Sequence, residues 1–140
     1  MAENKPENKP DDKLQDTQED TRPLFAIGHT FMEVNDVPQA YDFFVRHGMR
    51  EILRRDKLGI LELRGGTHLI LTPADAPVDE GKQAPFDLMV DDVDSVHQQF
   101  ADDGVQASEI ERGDIHDSFR ITGPSGYSIV VNSSHVLGVV

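Results

Sequence analysis

The sequence predicts an α+β domain made of two tandem βαβββ modules. Three observations carry that expectation. The chain resembles itself at a fixed offset, each copy has the same order of cap and turn residues, and a Pro- and Asp-rich stretch separates the copies. Set side by side, VNDVPQAYDFFVRHGM (34–49) and VDDVDSVHQQFADDGV (90–105) match at an offset of 90 − 34 = 56 residues. Val34 meets Val90, Asp36 meets Asp92, Val37 meets Val93, Phe44 meets Phe100 and Gly48 meets Gly104.

The elements follow in chain order. Residues 1–22 contain ENKPENKP and almost no aliphatic side chains. Such a run cannot bury enough apolar surface to offset the entropy of ordering it, so it reads as a disordered acidic tail. The folded domain is expected over 24–135, as modules 24–73 and 85–135 joined by linker 74–84. The stretch GHTFMEVND (28–36) alternates as a strand, with His29, Phe31 and Glu33 on one side and Thr30, Met32 and Val34 on the other.

A helix follows it. Asn35 or Asp36 can cap its first turn, Pro38 falls where no N–H is needed, and Val37, Ala40, Tyr41 and Phe44 recur at helical spacing. Gly48 fits the left-handed position that ends it. Three strands are then expected at 50–54, 58–63 and 68–72, with GG at 65–66 as a tight turn. The second copy has the strand FDLMV, a cap at Asp91 or Asp92, and a stripe of Val93, Val96 and Phe100. After its stop at Gly104 come strands at 108–111, 118–122 and 127–132, with GPSG (123–126) as the turn.

Bulk properties exclude some functions. A formal net charge of −13 and a pI of about 4.6 argue against nucleic acid and against anionic membranes as partners. No apolar run reaches the roughly 18 residues that a transmembrane helix needs. With no basic and apolar leader at the start, a cytoplasmic chain is expected. The sequence has no cysteine, so disulfides, thiolate nucleophiles and thiolate-bound zinc are absent.

The segments GHTFMEVNDVPQAYDFF, GGTHLILTP, FDLMVDDVDSV and GPSGYSIVV, in that order, resemble the vicinal oxygen chelate superfamily over residues 26 to 134. That superfamily groups glyoxalase I, bleomycin-resistance proteins, fosfomycin-modifying enzymes and extradiol dioxygenases. The resemblance implies a curved mixed sheet around a cavity, often completed by a homodimer. It also implies four ligand positions for a divalent ion, which fall here on His29, Ile70, Pro85 and Val130. Ile, Pro and Val have no donor atom in their side chains, so the usual four-ligand metal centre is not expected.

With that cavity as frame, alternation puts His29, Phe31, Glu33, His68, Ile70 and Thr72 toward it from the first module. Asp87, Met89, Ser128, Val130 and Asn132 face it from the second. Phe31 and Phe119 are its candidate aromatics, and His116 stands at its mouth. The expected ligand-binding set is therefore His29, Phe31, Glu33, His68, Asp87, His116 and Asn132, with no assigned metal ligand. His47 and His97 read as surface or helix-edge residues, and His135 as structural or at the pocket edge.

Three readings of function stand. The first is a small-molecule-binding protein without the family's metal centre. The second is a lyase, isomerase or dioxygenase, using either a divalent metal at an irregular site (His29 and His68 with Glu33 or Asp87) or proton transfer by His and Glu. The third is an accessory dimerisation domain.

Overall fold

The computed structural model describes residues 19–140. The tail expected over 1–22 falls almost wholly outside the described residues. The elements are β1 (His29–Val34), α1 (Val37–Arg46), β2 (Arg50–Arg54), β3 (Gly59–Glu62), β4 (His68–Pro73), β5 (Leu88–Val90), α2 (Val93–Asp102), β6 (Ser118–Thr122) and β7 (Ser128–Ser133). They form the α+β architecture of two modules, with one mixed sheet in each. The first sheet runs β1-β4-β3-β2 and the second β5-β7-β6. In each, the opening strand lies parallel to the closing one, β1 to β4 and β5 to β7, and the other pairings are antiparallel. Among the described residues no helix is long and apolar enough to cross a membrane.

The helices begin and end for matching reasons. Asp36 accepts from the Gln39 N–H and Asp92 from the Ser95 N–H, each at 3.0 Å, so these residues satisfy otherwise unpaired first-turn donors. The flanking Asn35 and Asp91 are spent elsewhere, Asn35 on the Val78 N–H and Asp91 on Arg64. Gly48 and Gly104 stop the helices at φ +111° and +77°, in the left-handed region.

Each helix then covers one face of its sheet. Val37, Ala40, Tyr41 and Phe44 of α1 are buried with Met32, Val34, Leu61, Leu69 and Leu71. Val93 and Phe100 of α2 are buried with Phe119, Ile121, Ile129 and Val131, and all join one core. Gly59 lies close under that packing: a Cβ there would stand 3.2 Å from the Tyr41 ring and 3.3 Å from Leu71.

Three expectations are corrected. Residues 108–111 form no strand and make only single bridges, Ala107 with Ile121 and Glu111 with Ser118. Ser108 explains the break. Its carbonyl contacts His97 Nε2 at 2.8 Å, and its hydroxyl, not its carbonyl, accepts from the Arg120 N–H. His97 is thus a tether for this edge and packs edge-on against Phe119 at 4.8 Å. Phe119 is not a pocket aromatic, because it shares the helix-covered face with Ile121 and is buried. His47 is not a surface residue either: its side chain is 9 % exposed, with its ring 4.7 Å from both Phe43 and Phe100.

His47 marks where the modules join. It caps the C-terminus of α1, Asp103 caps that of α2, and the two meet at 3.6 Å. The turns reach across as well. Ser125 Oγ accepts from the Asn35 N–H at 2.8 Å, while Arg64 pairs with Asp91 at 3.2 Å. Tyr127 donates its hydroxyl to the Glu33 carbonyl at 2.7 Å. Contacts between like positions are what a local two-fold axis between the modules produces.

Two outcomes follow for stability. Tyr127→Phe removes one part-buried hydrogen bond across the modules and should cost about 1 kcal/mol in urea denaturation. His47 is held below the ordinary 6.5 by burial; Asp103 opposes this and Arg46 reinforces it. The unfolded chain therefore takes up a proton near pH 6.5 that the folded chain still refuses. Stability is flat above that pH, falls as pH drops toward the lower folded value, and levels off below it. Comparing denaturation midpoints of wild type and His47→Phe across that window checks this, since the variant should lack this component of the slope.

Candidate functional site

Because each helix consumes one face of its sheet, the alternate positions of every strand are left on the other. On the first sheet these positions line up in transverse rows. Register places His29 beside His68, His68 beside Glu62 and Glu62 beside Arg50, so one side chain comes from each of the four strands. The next row is Phe31, Ile70, Ile60 and Leu53, and beyond it Glu33 pairs with Thr72. A bulge between Glu51 and Leu53 lets Arg50 and Leu53 share this face despite their odd separation. The face is thus banded: a polar row, an apolar row, and a polar end.

The polar row is bonded internally. Arg50 Nη1 donates to Glu62 Oε2 at 2.7 Å, and the other oxygen of Glu62 stands 3.0 Å from His68 Nε2. An ionised carboxylate only accepts, so the hydrogen in the second contact belongs to Nε2. That leaves Nδ1 of the neutral His68 ring as an acceptor. The His29 ring lies 5.8 Å from that of His68 and 6.3 Å from Phe31. Phe31 itself is 61 % exposed, which is unusual for a phenylalanine on a strand.

The expected ligand-binding residues divide among three places. His29, Phe31, Glu33 and His68 share the open face just described. Asp87 and Asn132 meet on the second sheet, where Asn132 Nδ2 donates to Asp87 Oδ2 at 3.2 Å. His116 lies at the end of β7, with Nδ1 at 3.2 Å from the Ser133 carbonyl and its ring edge-on to His135 at 4.3 Å. Glu62 and Arg50 complete the polar row and were not among the expected residues. The signal for them was the five-residue connection 63–67, which sets Glu62 opposite His68.

The larger concavities lie elsewhere. One of about 750 Å³ is walled by residues 20–26, the 64–67 turn and Val140; another of about 620 Å³ lies between Thr30 of β1 and Leu88 and Met89 of β5. Neither is lined by His29, Phe31, Glu33 or His68, but the second takes in Asp87. The row is the better candidate because its polar groups converge on one another, whereas the larger hollow is bounded mainly by the loop stretch 22–26 and the 64–67 turn.

The donor set does not suit a four-ligand divalent ion. Ile70, Pro85 and Val130 offer no side-chain lone pair. Glu33 stands four residues along β1 from His29, roughly 13 Å at strand rise. Asp87 lies just before β5 of the second module and is hydrogen-bonded to Asn132. Neither acid therefore joins the His29 and His68 pair, as the irregular site would require. Among the described residues no group of three or more His, Asp or Glu side chains could hold a metal ion.

Residues 26–131 match the model of the Glyoxalase/Bleomycin resistance protein/Dioxygenase superfamily. The structure is similar to that of a lactoylglutathione lyase from Agrobacterium tumefaciens, with a TM-score of 0.67 and 23 % identity over 84 % of this chain and 100 % of that one. It is similar also to TnmS3, an antibiotic-binding protein from Streptomyces sp. CB03234, with a TM-score of 0.68 and 19 % identity over 81 % and 99 %. A third similar structure is the oxidase ChaP-H1, with a TM-score of 0.66 and 15 % identity over 82 % and 100 %. No curated protein sequence matches the chain. At these identities the likeness carries the fold and not the activity.

Proposed function

Since the chain belongs to the glyoxalase, bleomycin-resistance-protein and dioxygenase superfamily, we propose that it binds a small molecule on the open face of its first sheet, without the four-ligand metal centre that the resemblance implies for metal-using members. The banding of that face supports the reading. A row of His29, His68, Glu62 and Arg50 borders the apolar row of Phe31, Ile70, Ile60 and Leu53. This pairing of an apolar floor with a few convergent polar groups suits a small ligand. Asp87, Asn132 and His116 would contribute from the second module. The similar structures include a lyase, an oxidase and an antibiotic-binding protein, so the fold alone does not choose an activity.

A homodimer would enclose this face. Phe31 is largely exposed, as are Leu24, Phe25 and Leu137 near the chain ends, and burying them against a second copy would remove apolar surface from water. The enzyme reading survives in one form, proton transfer by a histidine supported by a glutamate, and the contact of His68 with Glu62 favours it.

Three measurements bear on this reading. Protein purified without chelators should carry no stoichiometric divalent metal by elemental analysis. One ion per chain, lost in a His29→Ala, His68→Ala double variant, would overturn the metal-free site. Sedimentation should give a dimer. Phe31→Ala should weaken binding of the neutral fluorescent probe N-phenyl-1-naphthylamine by about ten-fold, the scale expected for losing one aromatic contact.

A further inference from the structure

The chemistry of the polar row narrows the ligand class. Glu62 is shared: Arg50 donates to one of its oxygens at 2.7 Å, and His68 Nε2 contacts the other at 3.0 Å. With Nε2 committed as a donor to a carboxylate, the neutral His68 ring has only an acceptor, Nδ1, left for anything outside the row. One nitrogen of the exposed Arg50 guanidinium is engaged by Glu62, which offsets its charge toward an anionic ligand. The chain as a whole carries a formal charge of −13, which disfavours approach of a permanent anion. Beside the row lies the apolar floor of Phe31, Ile70 and Ile60. An acceptor at the edge of an apolar floor calls for a neutral molecule with a hydrogen to give.

We propose that the open face recognises an apolar, neutral molecule bearing an acidic hydroxyl, a phenol or an enol, which donates to Nδ1 of His68. Glu62 and Arg50 are then positioning residues that keep this nitrogen an acceptor. The proposal rests on the reading of the open face as the binding surface. It goes beyond that reading in naming the ligand group and the atom that receives it.

Glu62→Gln separates this role from a merely structural one. In the variant, Arg50 claims the amide oxygen and the amide NH₂ turns toward His68. A donor now faces Nε2, and the ring hydrogen moves to Nδ1. Long-range ¹H–¹⁵N correlation spectra at about pH 8 should show unprotonated Nδ1 in wild-type His68 and protonated Nδ1 in Glu62→Gln. Two probes, 2-naphthol and its methyl ether 2-methoxynaphthalene, then read the consequence, because the ether keeps the apolar body and lacks the donor. Wild type should prefer 2-naphthol by about ten-fold, as one good hydrogen bond allows. That preference should fall to about two-fold or less in Glu62→Gln and in His68→Phe.

Protonated Nδ1 in the wild type, or equal binding of the two probes, would overturn the proposal. If both probes bind equally and Phe31→Ala weakens both, the hydroxyl-recognising role fails while the open face stands as a binding surface. If neither probe binds, both fail.

Discussion

The structure depends on a single asymmetry in each module: one helix, one sheet, and therefore only one face that can be buried. Met32, Val34, Leu61, Leu69 and Leu71 go under α1, and Phe119, Ile121, Ile129 and Val131 go under α2. Strand geometry then sends the intervening residues to the opposite face. Among the described residues nothing covers that face. His29, Phe31 and Glu33 are exposed for the same reason that Thr30, Met32 and Val34 are not. The candidate site is thus a by-product of core packing, and its composition is free to serve binding. Phe31, 61 % exposed in the apolar row beside the two histidines, would be a poor choice for a face that only met water.

Beside the shared core, the polar contacts between the modules are few, and most lie at helix ends and turns. His47 and Asp103 meet at the helix C-termini, the Ser125 turn meets Asn35, the Arg64 turn meets Asp91, and Tyr127 meets the Glu33 carbonyl. The last contact bears on the site directly, because Glu33 belongs to β1. Its backbone is pinned from the second module while its side chain faces outward. The position of the open face relative to the second sheet is therefore set by polar contacts at the rim as well as by the shared core.

Much of the architecture was legible in the sequence because it is local. Helix caps at Asp36 and Asp92, stops at Gly48 and Gly104, and the alternation of His29, Phe31 and Glu33 all depend on residues within one or two turns of one another. What was missed depends on partners distant in sequence. Glu62 and Arg50 belong to the site only through the β2–β3 and β3–β4 registers, and a bulge at Glu51 and Leu53 sets which face Arg50 takes. Phe119 has the composition of a pocket aromatic, yet its strand is phased so that it faces α2. His47 sits beside a helix stop, an exposed place in an isolated helix, and is buried only because Phe100 of the other module packs on it. The segment 108–111 has strand-like neighbours, but Ser108 diverts its carbonyl to His97.

The proposed site departs from the metal chemistry that the resemblance implies. The chain keeps the fold of a superfamily whose implied ligand positions here hold His29, Ile70, Pro85 and Val130. The nearest carboxylate to the paired histidines, Glu62, is already occupied by Arg50. An arginine in that place competes with a cation for the same oxygens and turns the glutamate into an orienting group for His68. The central claim is that this open face, and not either of the larger hollows, is where a ligand lies. Amide chemical-shift mapping of the full chain titrated with 2-naphthol tests it most directly. The account predicts shifts concentrated on His29, Phe31, Glu62, His68 and Ile70. Shifts centred instead on residues 20–26 and Val140, or on Thr30 with Leu88 and Met89, would contradict it.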